Sequence, residues 1–97
     1  TRQESDLQLM RRVQAGDLDR LAVLYSRHQA RLRGFLFRIC GDAAGAEDLV
    51  QTVFLRILRH REHFKGKGSF ASWMYRIARN AALDQASCDW ILVLDAD

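Results

Sequence analysis

The chain has 97 residues, 48% of them apolar and 28% charged, and a formal net charge of +3. Such values fit one soluble domain with a modest core. They exclude a membrane-inserted chain, because no apolar run approaches the roughly 20 residues that a bilayer demands.

No secretory signal pattern opens the chain, and Thr1 in the place of Met marks it as an expected fragment. The first predicted helix covers about residues 6–15. Ser5 is its N-cap and Gln8 stands three residues on, the pattern of a capping box. Leu7, Met10 and Val13 recur at helical spacing, and Gly16 suits the left-handed position that ends a helix.

The second predicted helix covers about residues 18–40, with Asp17 as N-cap. Leu18, Leu21, Tyr25, His28, Leu32, Phe35 and Ile39 alternate three and four apart, which predicts a packing seam that Leu24 and Leu36 widen. Arg27, Arg31, Arg33 and Arg38 mostly take the other faces, and Gly41 closes the helix. His28 lies on the seam with no second ligand candidate one turn away, so it is read as a hydrogen-bonded core or boundary residue rather than a ligand. Cys40 and Cys88 are far apart and share no metal-ligand spacing, which fits a reducing cytoplasm and makes Cys40 an inert buried thiol.

The third predicted helix covers about residues 43–60, with an apolar stripe of Ala46, Leu49, Val50, Val53, Phe54, Ile57 and Leu58. Glu47 and Asp48 fall in its first turns and Arg56, Arg59 and Arg61 near its end, where each sign suits the helix dipole. A loop follows from His63 to Gly68, with Gly66 and Gly68 for unusual backbone angles and Lys65 and Lys67 for charge. Ser69 caps a fourth predicted helix over about residues 70–86, with Phe70, Trp73 or Met74, Ile77, Ala78 and Ala81 as its buried stripe. Residues 1–86 thus read as one all-α domain, a compact bundle of about four helices. Residues 87–97 form an atypical, strand-like tail: a foreign or frame-shifted end, or a segment suited to a missing partner.

Catalytic patterns are missing. There is no Walker loop, no dinucleotide glycine pattern and no HExxH. Glu47 and Asp48 are adjacent and diverge on a helix, a poor acid–base pair. His60 and His63 lack a third ligand. No enzyme activity, metal or cofactor is expected. What stands out is the stretch from Phe54 to Asn80. It holds Arg56, Arg59, Arg61, Lys65, Lys67, Arg76 and Arg79 against Glu62 as the only acid. Cations neutralise phosphates, aromatic rings (Phe64, Phe70, Trp73 and Tyr75) stack on unpaired bases, and Asn80 can bond a base edge. A basic, aromatic nucleic-acid surface is the expectation.

The segments AEDLVQTVFLR, from Ala46 to Arg56, and GSFASWMYRIARNAALD, from Gly68 to Asp84, sharpen that expectation. At this separation they closely resemble the N-terminal sigma domain, the second conserved region, of bacterial extracytoplasmic-function (ECF) sigma factors. The resemblance covers about residues 6–86. It implies a cytoplasmic transcription-initiation module that docks on core RNA polymerase, at the clamp helices of the largest catalytic subunit, through Asp48, Gln51, Thr52, Leu55 and Arg56. Thr52 stands where the family often has an acid. Asp48, Gln51, Thr52, Leu55 and Arg59 share one helix face away from the apolar stripe. The resemblance also implies recognition and melting of the promoter minus-ten element. A flipped base of the non-template strand would sit among Phe64, Lys65, Gly66, Lys67, Gly68, Ser69 and Phe70, faced by Asn80, with Trp73, Arg76 and Arg79 near the opened strand. Family members carry a second, C-terminal DNA-binding domain and are commonly covered by an anti-sigma factor. The alternative expectation is therefore a protein-interaction module held mainly by an anti-sigma regulator.

Overall fold

A computed structural model describes residues 4–84; the tail predicted over 87–97 and the last two residues of the fourth predicted helix lie outside them. Among the described residues there are four α-helices and no strand: α1 (Asp6–Gln14), α2 (Arg20–Cys40), α3 (Ala43–Arg59) and α4 (Phe70–Asp84). A short 3-10 turn, Arg61–His63, follows α3. This is the all-α bundle that the periodicity predicts.

Local chemistry sets most helix ends. At α1 the capping box forms in full: Ser5 Oγ accepts from the Gln8 N–H at 3.1 Å, and Gln8 Oε1 accepts from the Ser5 N–H at 2.8 Å. Gly41 ends α2 with φ of 71°, a left-handed conformation that costs glycine nothing. Asp42 then starts α3 by accepting from the Gly45 N–H at 2.8 Å. Ser69 accepts from the Ser72 N–H at 3.0 Å and starts α4. At α2 the expectation fails. The helix begins at Arg20, and Asp17 does not cap it. The Arg20 N–H bonds the Asp17 carbonyl within the intervening turn, while the Asp17 carboxylate lies 3.6 Å from Arg12 and 3.7 Å from Arg20. Turn hydrogen bonds and the two cations compete successfully for the groups that a cap would use.

Packing centres on α3, which lies most extensively against α2 and next against α4. Its Ala46, Leu49, Val50, Val53, Phe54 and Ile57 are all buried, as the stripe predicts. Each fully buried aliphatic side chain contributes about 1.5–3 kcal/mol. The ion pairs that bridge the same helices, Arg33–Glu47 at 2.5 Å and Arg56–Asp84 at 2.8 Å, have exposed carboxylates. Such pairs are worth about 0–1 kcal/mol, so burial drives the packing and the pairs adjust its register.

The seam on α2 is broader than its alternating spacing predicts. Leu24, Leu32 and Leu36 are completely buried, whereas Leu18 is 45% exposed. Because α1, α3 and α4 all press on α2, the buried face exceeds the two columns of a coiled pair. His28 is half-buried, with Nε2 at 2.8 Å from Asp6 Oδ2, while Arg27 takes Asp6 Oδ1 at 2.9 Å. One carboxylate in the first turn of α1 thereby holds two residues of α2. On α4, Met74 rather than Trp73 occupies the deepest position, beside Phe70, Ala78, Ala81 and Ala82. Cys40, half-buried, is disulfide-bonded, so the inert-thiol expectation does not hold.

Gln14 fastens the far loop to α1. Its Nε2 donates to the carbonyls of Arg61 at 2.8 Å and Phe64 at 2.7 Å, across a sequence gap of 47–50 residues. Two part-buried hydrogen bonds of this kind are together worth about 1–3 kcal/mol, so Gln14→Ala should lower the urea unfolding free energy by about that amount. Asp42→Ala, which removes a single cap, should cost about 1 kcal/mol in the same measurement. Values within error of the parent chain for both would contradict these roles.

Candidate functional site

Two exposed surfaces flank the buried side of α3 and α4. The first lies on α3. Since the buried stripe takes one side of the helix, residues at i, i+3, i+4 and i+7 on the other side share one outward face. Asp48, Gln51, Leu55 and Arg59 are exposed there, and Thr52 is half-buried at its edge. Leu55 is 60% exposed, the most of any large apolar side chain among the described residues. A single exposed leucine is ordinary on a protein surface; what distinguishes Leu55 is that it shares its face with the polar residues expected at the polymerase dock. Arg56 stands apart from this face. Its Nη2 bonds Asp84 of α4 at 2.8 Å, and its side chain is only 28% exposed.

The second surface is the loop and the outer side of α4. The basic end of α3 belongs to the fold more than to this surface: Arg56 ties α3 to α4, and Arg61 Nη1 donates to the Leu58 carbonyl at 2.7 Å, closing the helix end. Beyond the 3-10 turn, Lys65, Lys67, Gly68 and Ser69 are exposed. Gly66 and Gly68 both adopt left-handed angles, with φ of 81° and 74°, which directs the two lysines outward from a tight strip of backbone. Ser69 is committed as a cap and also donates to Ser72 Oγ at 3.0 Å.

The predicted aromatic residues divide. Phe64 and Phe70 are 5% and 3% exposed, so their rings offer no open stacking face in this conformation. They form a buried cluster with Trp73: ring centroids lie 5.2 Å apart for Phe64–Trp73, 6.1 Å for Phe70–Trp73 and 6.2 Å for Phe64–Phe70. The cluster underlies the loop and anchors it to α4. Trp73 remains half-exposed at its edge. Arg76 and Asn80 are exposed, and with Trp73 and Ile77 they follow the i, i+3, i+4, i+7 spacing of a single stripe. Arg79 is half-buried and, with Arg76 and Tyr75, lines an open hollow of about 340 Å³.

Residues remote in sequence complete the loop. Leu7 and Arg11 of α1 approach Gly66: a Cβ placed there would lie 3.6 Å from Arg11 Nη2 and 3.8 Å from Leu7 Cδ1. With Gln14, Phe64 and Lys65 they enclose a cleft of about 80 Å³. Arg11 thus adds a cation to the Lys65–Lys67 strip, and Gln14 fixes the carbonyls beneath it. Helical periodicity could not identify either role, because both depend on how α1 docks. His60 and His63 stack at 5.3 Å, and among the described residues no group of three or more potential ligands is arranged for a metal ion. No helix among them is long and apolar enough to cross a membrane.

Residues 24–90, which include both surfaces, match the family described as Sigma-70 region 2. The chain is 39% identical over 80 residues to the RNA polymerase sigma-H factor of Pseudomonas aeruginosa, covering 82% of this chain and 42% of that protein. It is 40% identical over 75 residues to the RNA polymerase sigma factor CarQ of Myxococcus xanthus, covering 77% of this chain and 43% of that protein. It is 39% identical over 80 residues to the ECF RNA polymerase sigma-E factor of Haemophilus influenzae, with shares of 82% and 42%. The chain therefore spans less than half the length of these relatives. With its helical fold and these matches, the chain belongs to the Sigma-70 region 2 family and, within it, to the ECF sigma factors.

Proposed function

We propose that this chain is the part of a sigma factor that docks on core RNA polymerase and recognises and melts the promoter minus-ten element, acting in the cytoplasm and catalysing nothing itself. The observation that carries the reading is the presence of two outward surfaces of different chemistry within the family match. An apolar residue ringed by hydrogen-bonding groups suits a protein, and a cationic strip beside an exposed amide suits a nucleic acid.

On this reading Leu55 buries against the clamp helices of the largest polymerase subunit, and Asp48, Gln51 and Thr52 supply directional hydrogen bonds around it. Arg56 acts indirectly, by holding α3 to α4 through Asp84. Lys65 and Lys67, with Arg11, neutralise phosphates of the non-template strand. A base leaving the stack meets the strip from Gly66 to Ser69, where two left-handed glycines let backbone approach a ligand closely. Phe64 and Phe70 form the rigid floor, Trp73 offers its exposed edge, and Asn80 bonds the base edge. Arg76 and Arg79 follow the strand along α4. Melting needs no chemistry: binding the unpaired strand in preference to the duplex shifts the equilibrium towards opening.

Leu55 also favours a second reading, in which an anti-sigma regulator covers the same α3 face. The two occupants would then exclude one another, and the regulator would silence the module by occupying the dock.

The two surfaces should fail separately. Leu55→Ala or Gln51→Ala should weaken binding to core polymerase by about 1–2 kcal/mol, five- to thirtyfold, as truncation at an interface centre does. Neither change should alter fluorescence anisotropy of labelled single-stranded DNA with the free chain. Asn80→Ala should erase preference among bases in that DNA and spare polymerase binding. Equal loss of both functions in every variant, with circular dichroism unchanged, would refute the division. Lys65→Ala/Lys67→Ala should flatten the dependence of log affinity on log salt by about 1.4, or 0.7 per phosphate contact on a single strand. An unchanged slope would remove the loop from the DNA path.

A further inference from the structure

A second basic region lies where α2 meets α4. Arg31 and Arg38 are seven residues apart on α2, with Gly34 and Phe35 between them, so all four share one face. With Tyr75 of α4 they line an open hollow of about 490 Å³. The hollow lined by Arg76 and Arg79 shares Phe35 and Tyr75 with it, so the two lie side by side. Phe35 and Tyr75 meet edge to face at 5.0 Å and separate the cations of one helix from those of the other. Arg31, Arg38 and Arg76 are exposed, and no acid lines either hollow. Glu47 of α3 is bonded to Arg33.

Gly34 supplies an independent observation. It sits in the middle of a 21-residue helix, where glycine is less stable than alanine. Its φ is not left-handed, and a Cβ built on it would have nothing within 4 Å. Neither backbone conformation nor close packing inside the chain calls for glycine. What it does provide is bare backbone in the hollow between two arginines, as close approach by a ligand requires.

We propose that this hollow seats a stretch of DNA phosphodiester backbone, so that the bound strand continues from the loop across α4 and onto α2. The proposal rests on the reading of the loop and α4 as a DNA surface and extends its path by a helix. Arg31 and Arg38 neutralise phosphates from one side and Arg76 from the other. The Phe35–Tyr75 pair gives the deoxyribose an apolar floor.

The test is fluorescence anisotropy of a fluorescein-labelled fork-junction DNA across a salt series, with the chain alone and with core polymerase. Arg31→Ala/Arg38→Ala should flatten the log–log slope by about 1.4–1.8 and weaken binding at least tenfold at low salt, because two phosphate contacts are lost. Gly34→Glu should weaken binding at least as much through bulk and repulsion, while Gly34→Ala should melt higher and yet weaken binding, by less than Gly34→Glu, because its methyl intrudes on the approach of the backbone. If the α2 pair leaves slope and affinity unchanged while Lys65→Ala/Lys67→Ala weakens both, the hollow is no DNA seat and the loop reading survives. If neither pair has an effect, both readings fall. If the α2 pair loses polymerase and keeps DNA, the hollow is a protein contact and the proposal is overturned.

Discussion

A helix buries one stripe, and α3 spends its whole stripe between α2 and α4. Ala46, Leu49, Val50, Val53, Phe54 and Ile57 all point inward. That constraint fixes where everything else goes. The opposite face, with Leu55 at its centre, must face outward because the inward side is full. At its C-terminal end, α3 delivers the chain into a 3-10 turn whose following residue, Phe64, packs under the loop. The same burial sets the position of α4, so the outward stripe of Trp73, Arg76, Ile77 and Asn80 follows from the packing of Met74 and Ala78 on its inner side. Two surfaces therefore arise from one core. A change in that core moves both, whereas a change on either surface leaves the other intact.

The loop combines freedom and anchorage. Gly66 and Gly68 permit angles that other residues avoid, yet the segment is held at several points. Gln14 binds the carbonyls of Arg61 and Phe64, the Phe64–Phe70–Trp73 cluster packs below, and Ser69 starts α4 directly after. A site for an extruded base gains from such an arrangement, since a loop already ordered loses little further entropy on binding. The phenylalanines contribute rigidity here, and on the proposed reading contact with DNA falls to the backbone, the lysines and the edge of Trp73.

Much of this was legible in the residue order. Ser5 with Gln8, Gly41 and Ser69 announced helix ends through local hydrogen bonds and a left-handed glycine, which depend on near neighbours only. The α3 stripe was visible because one helix face is continuous in sequence. What escaped was tertiary. Asp17 looked like a cap until Arg12, Arg20 and turn hydrogen bonds claimed it. The bond from Arg56 to Asp84 of α4 was likewise invisible in the spacing. Phe64 and Phe70 had the composition of a stacking platform and the burial of a core. Arg11 and Gln14 belong to the loop only because α1 docks beside it, some 50 residues away in the chain. Residue type and spacing gave the faces of each helix; which partner meets a face depends on the assembled bundle.

The central claim is that the α3 face and the loop contact different macromolecules at the same time. Site-specific photocrosslinking tests it directly, with a benzophenone side chain placed in turn at Leu55 and at Lys67 in an assembly of the chain, core polymerase and promoter DNA. Crosslinks from position 55 to the largest polymerase subunit, and from position 67 to the non-template strand, are the predicted outcome. Crosslinks from both positions to the same molecule, or the reverse assignment, would contradict it.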